Sequence, residues 1–547
     1  MISLYPRPLM KRDSFYCLNG TWDFEITHDD QPPRNYSKSI LVPYPPESRN
    51  SGVEQRITSR ERMYYRKVFQ ISKHFLSVYT LLHFGGVDQE CRVWMNGVLL
   101  GEHKGGYTSF SFDISKIIRE GNNELIVMAI DTLSHTYPWG KQKNRNRGMW
   151  YTPFSGIWQT VWIESVPGEY ITGLKITPSL SGVTIDVETN TQNSAVMNAE
   201  IDTPEGVISI QSDRNSFGIT FDHPRLWTPE DPYLYQIRIT QGTDQVSSYF
   251  ALRTLTVAKV NGIPRILLNG APYFFHGLLD QGYWENGICV PDDDSGYEKD
   301  ILFAKALGFN TLRKHIRVEP ETFYEACDRI GMIVFQDFVN NGPYYYIKES
   351  VLPNLGFTKA NDRKHRVSSE THRVFCETME LTVERLYNHP CIAYWTIYNE
   401  GWGQYESDKM YRKLKSLDDS RIIDSTSGWY WQSESDVDSY HLYFSKLEEF
   451  RGARPVVLSE FGGLSYAPQR KSYGYSFFKT KEEYRKALME LYNDYIIPAV
   501  NKGLCGAIYT QIADVEDEKN GLVSYDRTDA KVSPEDMLPI AEKLRII

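Results

Sequence analysis

The sequence of 547 residues lacks several things that would narrow its chemistry at once. It has no basic excess: 60 Lys and Arg stand against 70 Asp and Glu, a formal charge of −10, which excludes the cationic stripe a nucleic-acid groove requires. No apolar run approaches the ~18 residues of a membrane-spanning helix, and the start, MISLYPRPLMKRDSF, has no signal-peptide apolar core. A cytoplasmic chain without nucleic-acid or membrane partners is therefore expected. Cysteine is scarce and scattered, at 17, 91, 289, 327, 376, 391 and 505, with no CxxC pair. That excludes a disulfide framework and reads as reduced core thiols. No His/Cys cluster has zinc spacing, so neither a metal nor a cofactor is expected. The acidic run at 292–294 reads as a helix start rather than a cation site.

What the chain has in quantity is aromatic surface: 37 Tyr, 25 Phe and 12 Trp. Tyr and Trp pair a flat apolar face with a hydrogen-bonding edge, which suits all-β domains and sugar-binding clefts alike. The length calls for several domains. Residues 1–167 read as a β-sandwich of short β-branched and aromatic runs such as GTWDFEI, RMYYRKVFQI and NELIVMAI, with an Asn-Gly hairpin signal in VWMNGVLL. The polar, aromatic stretch 134–156 is too long for a simple connector and is a candidate lid. A second set of strands over 168–258 fits an immunoglobulin-like sandwich. From 259 to 547 the pattern becomes strand then helix. Eight runs, YFFHGLL, NTLRKHI, MIVFQDF, CIAYWTIYNE, RIIDSTSG, VDSYHLYF, PVVLSEFGG and GAIYTQIAD, give the rhythm of a (β/α)8 TIM barrel. A doubly wound sheet is the alternative. In KEEYRKALMELYNDYIIPAV, Tyr484, Leu488, Leu491 and Tyr495 fall on one helical face.

Barrel chemistry sits at the C-terminal strand ends. Polar residues there are Asp280, Arg313, His315, Asp337, Asn340, Asn341, Asn399, Glu400, Asp424, Tyr440, His441, Glu460, Tyr509 and Asp514. Two close a strand alike: Glu400 after AYWTIYN and Glu460 after PVVLS, each followed by an aromatic residue and glycine. Two glutamates facing each other across one barrel mouth suit glycoside hydrolysis with retention, which needs carboxyl groups ~5–5.5 Å apart. A neighbouring cation, Arg313 for choice, would keep one ionised while burial keeps the other protonated.

At this point the chain resembles glycoside hydrolase family 2, the β-galactosidase, β-glucuronidase and β-mannosidase group, over essentially its whole length. LNGTWDF, YRKVF, VWMNGVLLGEHKGGYTSFSFDI and YTPFSGIWQTVWIE resemble the family's N-terminal sugar-binding sandwich (jelly roll). GFNTLRKHIRVEPETFYEACDRIGMIVFQDF, WTIYNEG and VVLSEFGG resemble its barrel motifs. The resemblance implies Glu460 as nucleophile, Glu400 as acid/base and Asn399 on the substrate 2-hydroxyl. Arg313 and His315 would line the pocket floor. Tyr440 would hydrogen-bond the nucleophile, with His441 beside it or, equally, in the core. Asp280 and Trp284 would contact sugar or serve as loop scaffold, and Tyr509 would stand in for the family's Trp platform. The partner implied is a carbohydrate, and association into a homo-oligomer is compatible with the family.

The glycone is less determined. β-Glucuronidases carry an Asn-x-Lys that reads the sugar carboxylate; DEKNGLVSYDR puts Glu518 and Asn520 there instead. A glutamate beside a uronate is repulsive, so a neutral sugar, most simply a β-galactoside, is expected. β-Glucuronidase is the alternative, favoured by the basic content of the 134–156 loop. A non-catalytic carbohydrate-binding protein is the reading of another class.

Overall fold

The computed structural model describes residues 5–191, 196–365, 367–443, 452–468, 473–474 and 476–545. A six-stranded antiparallel sheet in the order Lys38–Val42, Gly20–Thr27, Arg62–Ile71, Gly121–Ile130, Glu90–Met95, Val98–Lys104 faces a four-stranded one (Phe15–Cys17, Val161–Val166, Tyr79–Phe84, Phe110–Asp113). Alternate residues point inward, so Trp22, Phe24, Tyr65, Leu82, Val93, Val127 and Ile163 make one core between the sheets. The expected hairpin turns on Asn96 and Gly97, both at positive φ (49° and 82°), the two-residue turn that matches strand twist. A second sandwich follows, with sheets Ile171–Pro178, Gly182–Thr189, Ser216–Thr220 and Gly206–Ser212, Met197–Thr203, Tyr235–Gln241, Asp244–Phe250. It is immunoglobulin-like, closed on Ile185, Ile201, Tyr235, Ile239 and Phe250. It docks on the barrel through Asp328, whose carboxylate accepts from Tyr249 Oη at 2.7 Å and from the Cys391 N–H at 2.7 Å.

The barrel strands are β1 (Phe275–Asp280), β2 (Thr311–Lys314), β3 (Ile333–Asp337), β4 (Ile392–Asn399), β5 (Ile422–Ser427), β6 (Asp438–Leu442), β7 (Val456–Gly462) and β8 (Leu504–Thr510). They form one parallel sheet in the order β5-β4-β3-β2-β1-β8-β7-β6, a near-closed TIM barrel in which only β5 and β6 share no ladder among the described residues. Covered strands of this kind need apolar residues on both faces, and β1, β3, β4, β5, β7 and β8 are buried throughout. β6 instead alternates, with Ser439 and His441 buried and Asp438, Tyr440 and Leu442 half-buried, because the segment before it, 428–437, is not a helix.

Among the described residues, six helices of at least ten residues pack around the sheet: α1 (Gly296–Ala306), α2 (Glu321–Ile330), α3 (Ser369–Leu386), α4 (Ser407–Leu417), α5 (Lys481–Leu491) and α6 (Pro534–Leu544). Asp293 accepts from Ser295 N at 2.9 Å and pairs with Lys299 at the head of α1, as a helix start should. On α5 the expected face is half right. Tyr484 and Leu488 are buried and Leu491 packs half-buried against the core, but Tyr495 is exposed where the chain widens into a π turn at Tyr492–Ile496, and Tyr492 and Ile496 are the buried residues there. One extra residue in a turn rotates everything after it. All seven cysteines are free thiols, and among the described residues no helix is long and apolar enough to cross a membrane.

Candidate active site

β4 ends on Asn399, and Glu400 then adopts a left-handed backbone (φ 55°) that swings its carboxylate toward β6. The next residue has to be glycine: a Cβ on Gly401 (φ 76°) would sit 2.4 Å from the Tyr430 ring. On the opposite side β7 delivers Glu460, and Gly462 (φ 89°) leaves room for the ring of Tyr509, 2.5 Å from where its Cβ would be. An oxygen of Glu400 and one of Glu460 come within 4.8 Å. The half-buried Glu400 opens toward solvent, while Glu460 is only 4 % exposed.

Arg313, wholly buried at the end of β2, organises the floor. Its Nε donates to Asp337 Oδ1 (3.0 Å), its Nη1 to Glu460 Oε1 (3.0 Å) and Ser459 O (2.9 Å), and its Nη2 to Asn399 Oδ1 (2.9 Å). A planar fork can hold several acceptors in fixed directions, which a lysine could not. His315 leans on Asp337 (Nδ1 to Oδ2, 2.9 Å) and lies 3.9 Å from Glu460. His441 joins the two carboxylates, with Nδ1 2.8 Å from Glu400 Oε1 and Nε2 3.6 Å from Glu460 Oε1.

Burial by itself would raise the Glu460 pKa. The charges of His441, His315, Arg313 and Lys141 more than offset it and hold the carboxyl well below the usual range. Burial, reinforced by Lys141, pushes His315 down to about 4, so its share of that offset is present only at low pH, whereas Arg313 and Lys141 carry theirs at neutral pH.

The structure thus gathers Glu400, Glu460, Asn399, Arg313, His315 and His441 in one pocket and leaves four expected residues elsewhere. Asp280 is spent on an internal ion pair, 2.6 Å from Lys314 Nζ, which also meets Glu319 at 3.1 Å. Trp284 packs edge-on to Tyr297 (5.2 Å between centroids) and under Arg527. Tyr440 faces away from the nucleophile, against Trp431 (5.2 Å). It is Tyr443 that donates its hydroxyl to Glu460 Oε2, with Thr510 Oγ1 3.1 Å behind it. Side chains alternate along a strand, so the parity of His441 marks 443 rather than 440 as inward; that signal lay in the sequence. Tyr509 likewise points outward, to Tyr484 Oη at 3.1 Å and the Phe461 ring, and Thr510 takes the mouth-facing place.

Glu400, His441 and Glu460 are also a grouping that could ligate a metal. The guanidinium of Arg313, 3.0 Å from Glu460 and 3.4 Å from His441 Nε2, already fills the cation's role there, so the residues do not fit an ion.

Three sequence patterns cover this architecture in order: the family 2 glycosyl hydrolase sugar-binding domain matches residues 34–167, the family 2 glycosyl hydrolase pattern 169–253, and the family 2 TIM barrel domain 259–528. The chain belongs to glycoside hydrolase family 2. A β-galactosidase of Thermoanaerobacter pseudethanolicus is 26% identical over 74% of this chain, which spans only 54% of that protein. The chain therefore covers about half the length of such a relative. A β-glucuronidase of Felis catus is 24% identical over 93% of this chain and 86% of its own. A solved β-galacturonidase from Eisenbergiella tayi superposes with a TM-score of 0.73 at 20% identity, covering 100% of this chain and 98% of that one.

As in its sequence, the family 2 chain here sends residues 134–156 from the first sandwich across the barrel mouth. The segment is sewn down. Trp139 Nε1 donates to Gly342 O (3.0 Å), Asn341 Nδ2 to Thr136 O (2.9 Å), Thr152 N to Glu516 Oε1 (2.8 Å), and Tyr151 Oη to Glu518. Trp139 stacks on Trp150 (5.3 Å, 7°), and both meet Trp402 nearly edge-on. It forms a fixed aromatic wall of the pocket.

Proposed function

We propose that the chain is a retaining exo-β-glycosidase. In the first step a Glu460 oxygen attacks the anomeric carbon while Glu400 gives its proton to the departing glycosidic oxygen, so the aglycone leaves neutral. In the second, Glu400 as carboxylate takes a proton from water, whose oxygen attacks the same carbon and releases Glu460. The observation carrying this reading is the separation of the carboxyl oxygens, within 4.8 Å. Carboxyls this close suit the ~5–5.5 Å spacing of retaining sites, where the second carboxyl attacks directly. The ionised state of Glu460 and the half-open position of Glu400 assign the roles, and Asn399 is placed to hold the 2-hydroxyl, a contact that strengthens at the transition state.

For the glycone we favour a β-uronide, the substrate class in the names of the cat and Eisenbergiella proteins. A β-galactoside is the second reading, because Glu518, buried in the segment after β8, would repel a uronate. A 2-deoxy-2-fluoro β-glycoside with an activated leaving group tests the mechanism. It should stall the enzyme as a covalent adduct on Glu460, located by peptide mapping. Adduct on another residue, or a product of inverted configuration by NMR, would overturn the assignment, and sugar binding without any turnover would support a non-catalytic protein.

A further inference from the structure

One cation at this pocket pairs directly with neither catalytic carboxylate. Lys141 lies on the 134–156 wall, between a barrel loop at Ile316 and the return of the wall itself at Tyr151. The preceding Gly140 (φ 63°) is wedged where the first sandwich meets the barrel: a Cβ there would lie 2.7 Å from Tyr107 Oη of the sandwich and 3.5 Å from Ile316 O, the barrel residue after His315. On its other side the Lys141 carbonyl accepts the Tyr151 N–H at 2.8 Å, and Tyr151 in turn donates its hydroxyl to Glu518 beyond β8. Lys141 is half-buried, and its charge is felt by Glu460, Glu518 and His315 together. Among the described residues it forms no ion pair, and its ammonium makes no hydrogen bond.

The wall beside it is polar and incompletely paired. Gln511 Nε2 donates to Asn520 Oδ1 (2.7 Å) and to Glu518 Oε2 (3.3 Å), which leaves Gln511 Oε1 and Asn520 Nδ2 buried without partners, as is His315 Nε2. Proteins pair nearly all such groups, so these three leave the hydrogen bonding around Glu518 and His315 incomplete. The position fits one end of a sugar. With the anomeric carbon at Glu460 and the 2-hydroxyl toward Asn399 on β4, the C5 substituent points to the opposite side, where β8 stands across an eight-stranded barrel.

We propose that Lys141, supplied by the first sandwich rather than by the barrel, is the specificity-determining residue that binds the C5 carboxylate of a β-linked uronic acid. The inference rests on the glycosidase reading above. It also answers the objection raised by Glu518, whose carboxylate is engaged by Tyr151 and Gln511 and is pushed up in pKa by burial, so its repulsion of a uronate is reduced. Sequence position alone could not bring residue 141 to the sugar.

The test uses the full chain with 4-nitrophenyl β-glucuronide and β-galacturonide set against the matching neutral glucoside and galactoside. The wild type is expected to prefer a uronide. Lys141→Met should lower the uronide-to-neutral ratio of kcat/KM by roughly 30-fold or more, the loss typical of truncating one partner of a charge pair. Lys141→Arg should keep most of the preference. Because the ratio is taken within each variant, partial misfolding cancels. A ratio unmoved in Lys141→Met, or a wild type that prefers the neutral sugar, overturns the role of Lys141 while leaving the glycosidase reading intact. A wild type that turns over none of the four overturns that reading itself.

Discussion

One imidazole touches both carboxylates: His441 Nδ1 lies 2.8 Å from Glu400 Oε1, and Nε2 lies 3.6 Å from Glu460 Oε1 and 3.0 Å from Ser427 Oγ. The ring is anchored from behind, since Ser427 Oγ itself donates to Ser459 Oγ at 2.8 Å. Glu400 is therefore not a free carboxyl at a strand end. It is oriented by a group that can donate to it or accept from it, as an acid/base that changes state twice per cycle requires.

His441→Leu should consequently act through Glu400. We expect kcat/KM to fall by about 10- to 100-fold on substrates with poor leaving groups and much less on 2,4-dinitrophenyl glycosides, whose departure needs little protonation. A Brønsted plot against leaving-group pKa reads this directly. Equal losses across the series would mean that the ring serves only packing.

Arg313→Met removes the standing cation from Glu460 and Asp337 together. Leaving buried carboxylates uncompensated should cost about 3–5 kcal/mol and let burial raise the Glu460 pKa, moving the acid limb of kcat/KM to higher pH. The stability effect has a defined sign. Glu460 and Asp337 are depressed in the folded state, so their stabilisation is full above their unfolded pKa values and declines as pH falls toward the folded ones. The deficit of the variant should be larger at pH 7 than at pH 3, by denaturation at both; a constant deficit would contradict the ion-pair account.

Tyr443→Phe and Tyr440→Phe form a matched pair. Losing the hydroxyl that donates to Glu460 should lower kcat by roughly 10- to 100-fold, on the scale of one transition-state hydrogen bond. Tyr440, packed on Trp431, should tolerate the change. Comparable losses in both would undo the placement of β6.

These tyrosines also show what the sequence could and could not say. The eight barrel strands were legible because buried strands read as apolar runs, and Glu400 and Glu460 stood out as carboxylates ending such runs before a glycine. Faces were harder. Choosing Tyr440 over Tyr443, or Tyr509 over Thr510, is a step of three residues or of one, and any odd step inverts the side of the sheet. Asp280 looked free because nothing in LLDQGYW reveals that Lys314, the last residue of β2, turns toward it. The role of residues 134–156 depends on contacts to residues 340–342 and 516–518, far apart in sequence, that only the fold brings into reach.

Tyr509→Phe separates outward from inward on β8. Its hydroxyl is buried against Tyr484 Oη, and deleting it strands a partner, costing about 1–3 kcal/mol. The thermal midpoint should fall while KM and kcat stay near wild type. A marked rise in KM with little change in midpoint would instead restore Tyr509 as a sugar platform.

The foot of the 134–156 wall should carry a pH dependence of its own. Asp131 accepts from Leu133 N at 2.7 Å and from Ser155 Oγ at 3.2 Å, while Gln142 Nε2 donates to the neighbouring Asp88 at 3.1 Å. Among the described residues neither carboxylate has a cation in ion-pair reach. Burial pushes Asp131 up from 3.8 to about 6 and raises Asp88 as well. A raised acid binds more protons folded than unfolded, so its stabilisation is full below the unfolded value and is lost as pH rises through the folded one. Between pH 4 and 7 wild type should lose stability on the order of 1–3 kcal/mol from this site, and Asp131→Asn, which cannot ionise, should lose less. The measurement is the thermal midpoint of both proteins at pH 4.5, 6 and 8: the gap between them should move in favour of the variant as pH rises. If the two curves run parallel, the buried carboxylates do not set the stability of this wall.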